Sequence, residues 1–288
     1  MARRASSVAT ALAVCALAAC GEPSLRATPD EAVLAGPAGA HPDGAPIRSQ
    51  APAALREEAG APPNDARTVS ADLLARIDTT AEAGGVFGAV GVYHSDDAPA
   101  ADGEQWLALD SAGGAWALVP VTVRTRIVRD EIVDDPDGPF TGVEVRTERS
   151  TRRHDAWHDP AAVFVRSARL APGPVQTAFA GLRSLAPGTE LTLALGETTW
   201  QLASAALAGR PDQAVLLLDD VPVVSLPSRD AGNRILHWAG DLDGDGALDL
   251  VVNASDHYNA SVLQLWLSSA ADGGAPLGLA ATHTATGC

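Results

Sequence analysis

AGDLDGDGALDLVV, residues 239–252, sets four aspartates two or four positions apart and then runs into an apolar segment. Two readings are open. A plain Asp-Gly hairpin turn needs only one such pair between two strands. Four carboxylates so close together ask for more. Asp241, Asp243 and Asp245 converge on one point if the backbone coils tightly, and Gly244 and Gly246 supply the positive φ that such coiling uses. Asp249 can close the cage, with the Ala247 carbonyl and a water as further oxygens. Left without a cation, each pair of these like charges costs about 1 kcal/mol at 4 Å in water and about 4 kcal/mol at an effective dielectric near 20. Six to eight hard oxygens at roughly 2.3–2.6 Å describe a Ca2+ shell better than an octahedral Mg2+ shell. The expected ligands are therefore Asp241, Asp243, Asp245, Ala247 and Asp249, and the expected ion is Ca2+.

The loop departs from an EF-hand, because the twelfth position counted from Asp241 is Val252 rather than Glu and no helical periodicity flanks it. A loop between strands fits better. Its DLDGDGALDLVV run resembles the FG-GAP and VCBS calcium loops, found singly or repeated in integrin-like propellers and in secreted bacterial proteins, over about Ile235 to Leu267. The resemblance implies calcium at Asp241, Asp243, Asp245 and Asp249 and is almost silent about activity. A single copy, with no self-similarity at a period of roughly 40–60 residues, argues against a propeller built of such units.

Around this loop the pattern is β. From Val119 to Ile127 every odd residue is Val, Thr or Ile, while Thr122, Arg124 and Arg126 take the other face. Val128 and Ile132 then fall on even numbers, which predicts a bulge near Ile127. Val143 and Val145 resume the alternation, so the two runs form a hairpin around DDPDG. Further strands are expected at Val163–Leu170, Leu191–Leu195, Thr199–Ala203, Val215–Leu218, Leu248–Val252 and Val262–Leu267. Leu73, Leu74 and Ile77 after Ser70 predict a short helix within Val69 to Ala83. The fold class is all-β, of antiparallel sheets as a sandwich, barrel or blade-like sheet. It occupies residues 68–288, with a possible subdivision near 149–160.

The amino-terminal end reads differently. Arg3 and Arg4 precede an apolar, alanine-rich run from Val8 to Ala19, followed by Cys20. That run is shorter than the roughly twenty residues of a membrane span and has the layout of an export signal. Leu17-Ala18-Ala19-Cys20 resembles the bacterial lipobox, which implies cleavage before Cys20, acylation of that cysteine, and a signal peptide of residues 1–19. Ordinary cleavage after Ala16-Leu17-Ala18 is the competing reading. Gly21 rather than Asp after the cysteine implies the outer membrane. Residues 20–67 are rich in Ala, Pro and Gly and form a flexible tether.

Composition narrows the function. A net charge of −16 argues against nucleic acid and against docking on anionic headgroups. Lysine is absent, which removes Schiff-base chemistry. With Cys15 in the signal peptide and Cys20 acylated, Cys288 has no intramolecular partner. RRHDAWHDP, residues 152–160, holds His154 and His158 four apart, but it ends in Pro between strands and reads as a polar loop rather than a zinc site. Asp256 and His257 read as a turn bracing the aspartate loop. The six tryptophans read as core. No nucleophile elbow or phosphate loop occurs. The chain is thus expected to be a lipid-anchored, calcium-binding β protein of the bacterial envelope that binds a protein or glycan partner. A periplasmic hydrolase and a surface carbohydrate-binding adhesin are the alternatives. Intact-mass analysis of membrane-extracted protein should show a mature chain starting at Cys20 and carrying acyl mass; a chain starting at Ala19 without it refutes lipidation.

Overall fold

The computed structural model describes residues 67–79, 83–88, 90–112, 114–148, 163–226, 234–257 and 259–286. The export segment, Cys20, most of the tether, RRHDAWHDP with His154 and His158, and Cys288 lie outside the described residues. Five early strands are β1 (Thr68–Val69), β2 (Gly85–Phe87), β3 (Gly91–Tyr93), β4 (Gln105–Ala112) and β5 (Ala115–Val128). They are followed by β6 (Gly142–Thr147), β7 (Val163–Arg166), β8 (Gly173–Ser184), β9 (Glu190–Leu195) and β10 (Thr198–Leu207). The chain continues through β11 (Arg210–Leu218), β12 (Val221–Leu226), β13 (Arg234–Asp241), β14 (Asp249–Ala254), β15 (Ala260–Leu267) and β16 (Gly278–Thr286). The expected all-β, antiparallel class is what is found; the two-residue β1, parallel to β10, is an exception. Among the described residues no helix is long and apolar enough to cross a membrane.

Two sheets result. Eleven strands form the larger, in the order β16-β15-β14-β13-β8-β5-β4-β7-β2, with β6 alongside β5 and β3 on β6. Its end strands β16 and β2 touch, so the sheet curls almost closed like a barrel. The smaller sheet runs β1-β10-β11-β12 with β9 also on β10 and curves as a half-barrel. Strands before and after residues 149–160 belong to the same large sheet: β7 pairs with β2 and β4, and β8 with β5 and β13.

Strand β14 shows why the sheets sit as they do. Every residue of Asp249–Ala254 is buried. Leu250, Val252 and Ala254 face a core shared with Leu202, Leu216, Val224 and Leu226 of the smaller sheet. Val251 faces the opposite way, into the barrel core with Val86, Leu109, Leu118, Val165 and Trp238. A strand buried on both faces carries a continuous apolar run, as DLVV does. Gly240, one residue before the aspartate loop, is fixed by crowding: a Cβ there would stand 2.1 Å from the Gln176 carbonyl oxygen and 2.4 Å from the Trp238 ring.

Several expectations are corrected. The short helix expected within Val69 to Ala83 is present as a six-residue 3-10 helix, Ala71–Arg76, and only the cap differs: Ser70 stands at the N-cap position with its hydroxyl on the Asp72 carboxylate rather than on the backbone. Val69 pairs with Leu207, and Ile77 is buried against the shared core, so extended chain flanks the turn on both sides. The β5–β6 ladder runs from Val123↔Thr147 to Val128↔Gly142 without a shift, so there is no bulge at Ile127. Ile127 simply overhangs the core and is exposed. The Val163–Leu170 strand stops at Arg166. Asp256 and His257 do touch each other, but they follow β14 whereas the aspartate loop precedes it, so they do not brace that loop. Trp106, Trp238 and Trp266 are core residues as expected.

One buried group sets a pH dependence. His237 falls at the register shift of β13, is 2% exposed, and neither ring nitrogen has a hydrogen-bond partner among the described residues. Burial pushes its pKa down to about 4. The unfolded chain therefore binds the extra proton first, so this contribution to stability is complete above about 6.5 and is lost as pH falls toward 4. A shift of this size corresponds to roughly 3 kcal/mol. Melting His237→Leu beside the wild type at pH 7.5 and pH 4.5 should show a smaller loss for the variant; equal losses refute the assignment.

Candidate metal centre

The aspartates lie where β13 hands over to β14. Asp241 is the last residue of β13 and Asp249 the first of β14, paired through the Gly240↔Asp249 register. Between them the chain coils. Gly244 at φ +83 and Gly246 at φ +82 adopt the left-handed region, and nothing lies within 4 Å of either Cβ position, so the requirement there is backbone conformation alone. Asp241 organises the coil, its Oδ1 accepting the Gly244 N–H at 2.6 Å and its Oδ2 the Gly246 N–H at 3.0 Å. Asp243 Oδ1 accepts the Asp245 N–H at 3.3 Å, and Asp245 Oδ1 the Ala247 N–H at 2.8 Å. The two bonds that span two residues, on Asp243 and Asp245, are Asx turns, which aspartate forms more readily than longer acids.

Three of the four carboxylates meet. Asp241, Asp243 and Asp249 each offer an oxygen, all within 4.8 Å of one another. Two oxygens on opposite sides of a calcium ion stand about 4.8 Å apart, so the three fit one coordination sphere. Asp245 is turned elsewhere: its Oδ2 accepts the Ser268 hydroxyl at 2.8 Å. Ala247 contributes its N–H to the coil, as above. Asp249 is fully buried, with Oδ2 accepting the Leu242 N–H at 2.7 Å and Oδ1 the Ser268 N–H at 2.8 Å; the Ser268 hydroxyl, 3.0 Å from Oδ1, has one proton to share between Asp249 and Asp245. Ser269 donates its hydroxyl to Asp243.

Ser268 and Ser269 were not singled out by the sequence. They open a 3-10 turn, Ser268–Ala270, directly after β15, which lies next to β14. The signal was available only in the register, since β14 and β15 pair through Leu250↔Trp266 and so place Ser268 opposite the start of β14.

Electrostatically the centre is unbalanced. Burial pushes the Asp249 carboxyl up to about 7, with Asp243 adding repulsion against the hydrogen bonds that oppose the rise. Burial raises Asp243 too, with Asp245 and Asp241 contributing. None of the four aspartates has an ion-pair partner among the described residues. The donors are all hard oxygens, a set that suits calcium and magnesium rather than zinc or copper. Comparison of the chain with protein-family models, with curated proteins and with solved structures returns no match.

Asp249 has a structural task whatever the ion. Asp249→Ala strands the Leu242 and Ser268 donors in a buried place and should cost about 2–4 kcal/mol, whereas Asp249→Asn keeps one acceptor and costs less. Chemical denaturation of both variants in chelator checks this ranking; equal stability of the two overturns it.

Proposed function

We propose that this chain is an exported, lipid-anchored β protein whose domain is held together by a calcium ion at Asp241, Asp243 and Asp249, and that it acts as a binding or structural module of the bacterial envelope. The carrying observation is the convergence of three carboxylates, one of them fully buried, at a point where no cationic side chain among the described residues meets them. Asp245, which the resemblance to FG-GAP and VCBS loops also implies, would complete the shell by exchanging its Ser268 bond for the ion, with the Ala247 carbonyl as a further oxygen. The ion is structural in this reading. An all-oxygen calcium site acidifies bound water poorly compared with zinc on nitrogen and sulfur ligands, so the binding free energy goes into folding. Cys20, acylated, supplies the anchor on the membrane surface, and residues 20–67 carry the domain away from it. Its partner is a protein or glycan, with nucleic acid disfavoured by the charge of −16.

Thermal melts in chelator and in calcium test the centre. Calcium at a hundred times Kd stabilises by about 2.7 kcal/mol. For a domain of this size that raises Tm by about 5–10 °C. Asp243→Ala should abolish the rise, and magnesium should give a smaller one. Equal Tm with and without calcium, or a full response in Asp243→Ala, overturns the reading.

A further inference from the structure

The loop of residues 129–141 joins β5 to β6. Six large hydrophobics are exposed among the described residues, and four of them, Ile127, Ile132, Val133 and Phe140, fall on this loop or the strand end that leads into it. A single exposed apolar side chain is ordinary, but a concentration of them marks a contact surface. The loop also holds one shape. Asp134 Oδ2 accepts the N–H groups of Asp130 at 2.8 Å and Thr141 at 2.9 Å, and its Oδ1 accepts the Thr141 hydroxyl at 2.5 Å. That clamp sets Val133 and Phe140, the residues just before Asp134 and Thr141, at the same end of the loop. The arm between them, DPDGP at residues 135–139, is closed by the Gly138 N–H on the Asp135 carbonyl at 3.0 Å and stiffened by its two prolines. A surface ordered beforehand loses little freedom on binding.

Charge decides what this surface faces. Residues 129–141 hold one arginine against five carboxylates, Asp130, Glu131, Asp134, Asp135 and Asp137. Asp130 and Asp134 are taken up by bonds within the fold, and Glu131 stands 3.7 Å from Arg129. Asp135 and Asp137 are exposed and have no ion-pair partner among the described residues. The nearest arginines of the hairpin stem, Arg126 and Arg146, are both held by Glu144. The tip is thus apolar at both ends of the arm and anionic along it.

We propose that this tip, residues 132–140, docks a protein segment that is both apolar and basic, with apolar side chains laid on Ile132, Val133 and Phe140 and lysine or arginine side chains on Asp135 and Asp137. The tip gives the binding role proposed above its surface, rests on that role, and needs no metal. A symmetric contact with a second copy of this chain would set the carboxylates against their like, and an anionic bilayer would repel them as well. A basic partner gains instead from the net charge of −16, which steers it in from a distance.

Titration of a fluorescent amphipathic peptide of leucine and lysine with the full chain, followed by anisotropy in calcium and again in chelator, tests the docking. The peptide should bind saturably, and more weakly as salt rises. An oligolysine without leucine should bind at least about tenfold more weakly for want of buried apolar side chains. A counterpart with glutamate in place of lysine, and phosphatidylcholine vesicles with or without phosphatidylglycerol, should not bind. Ile132→Ser with Val133→Ser should weaken the peptide by about tenfold at unchanged Tm. Asp135→Asn with Asp137→Asn should weaken it several-fold and flatten its salt dependence. Glu190→Gln with Glu197→Gln removes two exposed carboxylates at β9 and the turn after it, and should leave binding unaltered. Wild-type affinity in either tip variant, an equal loss in the Glu190 and Glu197 variant, or equal binding of the oligolysine, the glutamate peptide or the vesicles overturns the proposal. So does a dimer of the chain that Ile132→Ser with Val133→Ser dissolves. Absence of saturable peptide binding in both media sinks the surface alone, because the melts in calcium and chelator judge the metal centre separately.

Discussion

The burial of β14 on both faces is the constraint on which the rest depends. A strand with one wet side can slip by two residues and lose part of its contacts, but a strand between two cores has no register to slip into. Asp249 begins that strand and is itself without solvent contact. Its two oxygens take donors from the loop before it and from the turn after β15, so one side chain ties together three consecutive strands of the large sheet. Apart from the half-buried Arg234 and Ile235 at the start of β13, the coil of glycines and aspartates is the part of this hairpin that reaches solvent, and its shape follows from where β13 must end and β14 begin.

Much of this was written in the residues. The alternation at Val119–Ile127 and the compact apolar runs at Leu191–Leu195, Val215–Leu218 and Val262–Leu267 mark strands because their side chains suit a pleated, half-buried surface. Strands β4, β8 and β16 were not legible. QWLALDSA, GPVQTAFAGLRS and GLAATHTAT are rich in alanine, glycine and polar residues, and they are extended because neighbours supply the ladder, on both sides of β4 and β8 and from β15 alone for β16, not because their own preference demands it. The short helix expected after Ser70 forms, but only as six residues of 3-10 helix. Its spacing is helical, yet the chain on either side is claimed by β10 and β16.

The same contrast holds at the aspartate loop. The identities of the aspartates and the need for Gly244 and Gly246 follow from local spacing. That Asp241, Asp243 and Asp249 meet while Asp245 leans on Ser268 follows from β15, distant in sequence, and no local pattern carries it. His94 and Asp130 are a further case: thirty-six residues separate them, and only the β3–β6–β5 ladder brings them together.

The two-residue strand β1 has a mechanical meaning. It opens the described part of the chain, and it holds to β10 by Ala206 N–H on the Arg67 carbonyl at 2.9 Å and Ala208 N–H on the Val69 carbonyl at 2.8 Å, with the Arg67–Asp220 ion pair beside them. Any pull arriving through the amino-terminal chain loads these few bonds before it reaches the eleven-stranded sheet. The clasp can thus peel and re-form, releasing a few residues under tension while both cores and the aspartate coil stay intact.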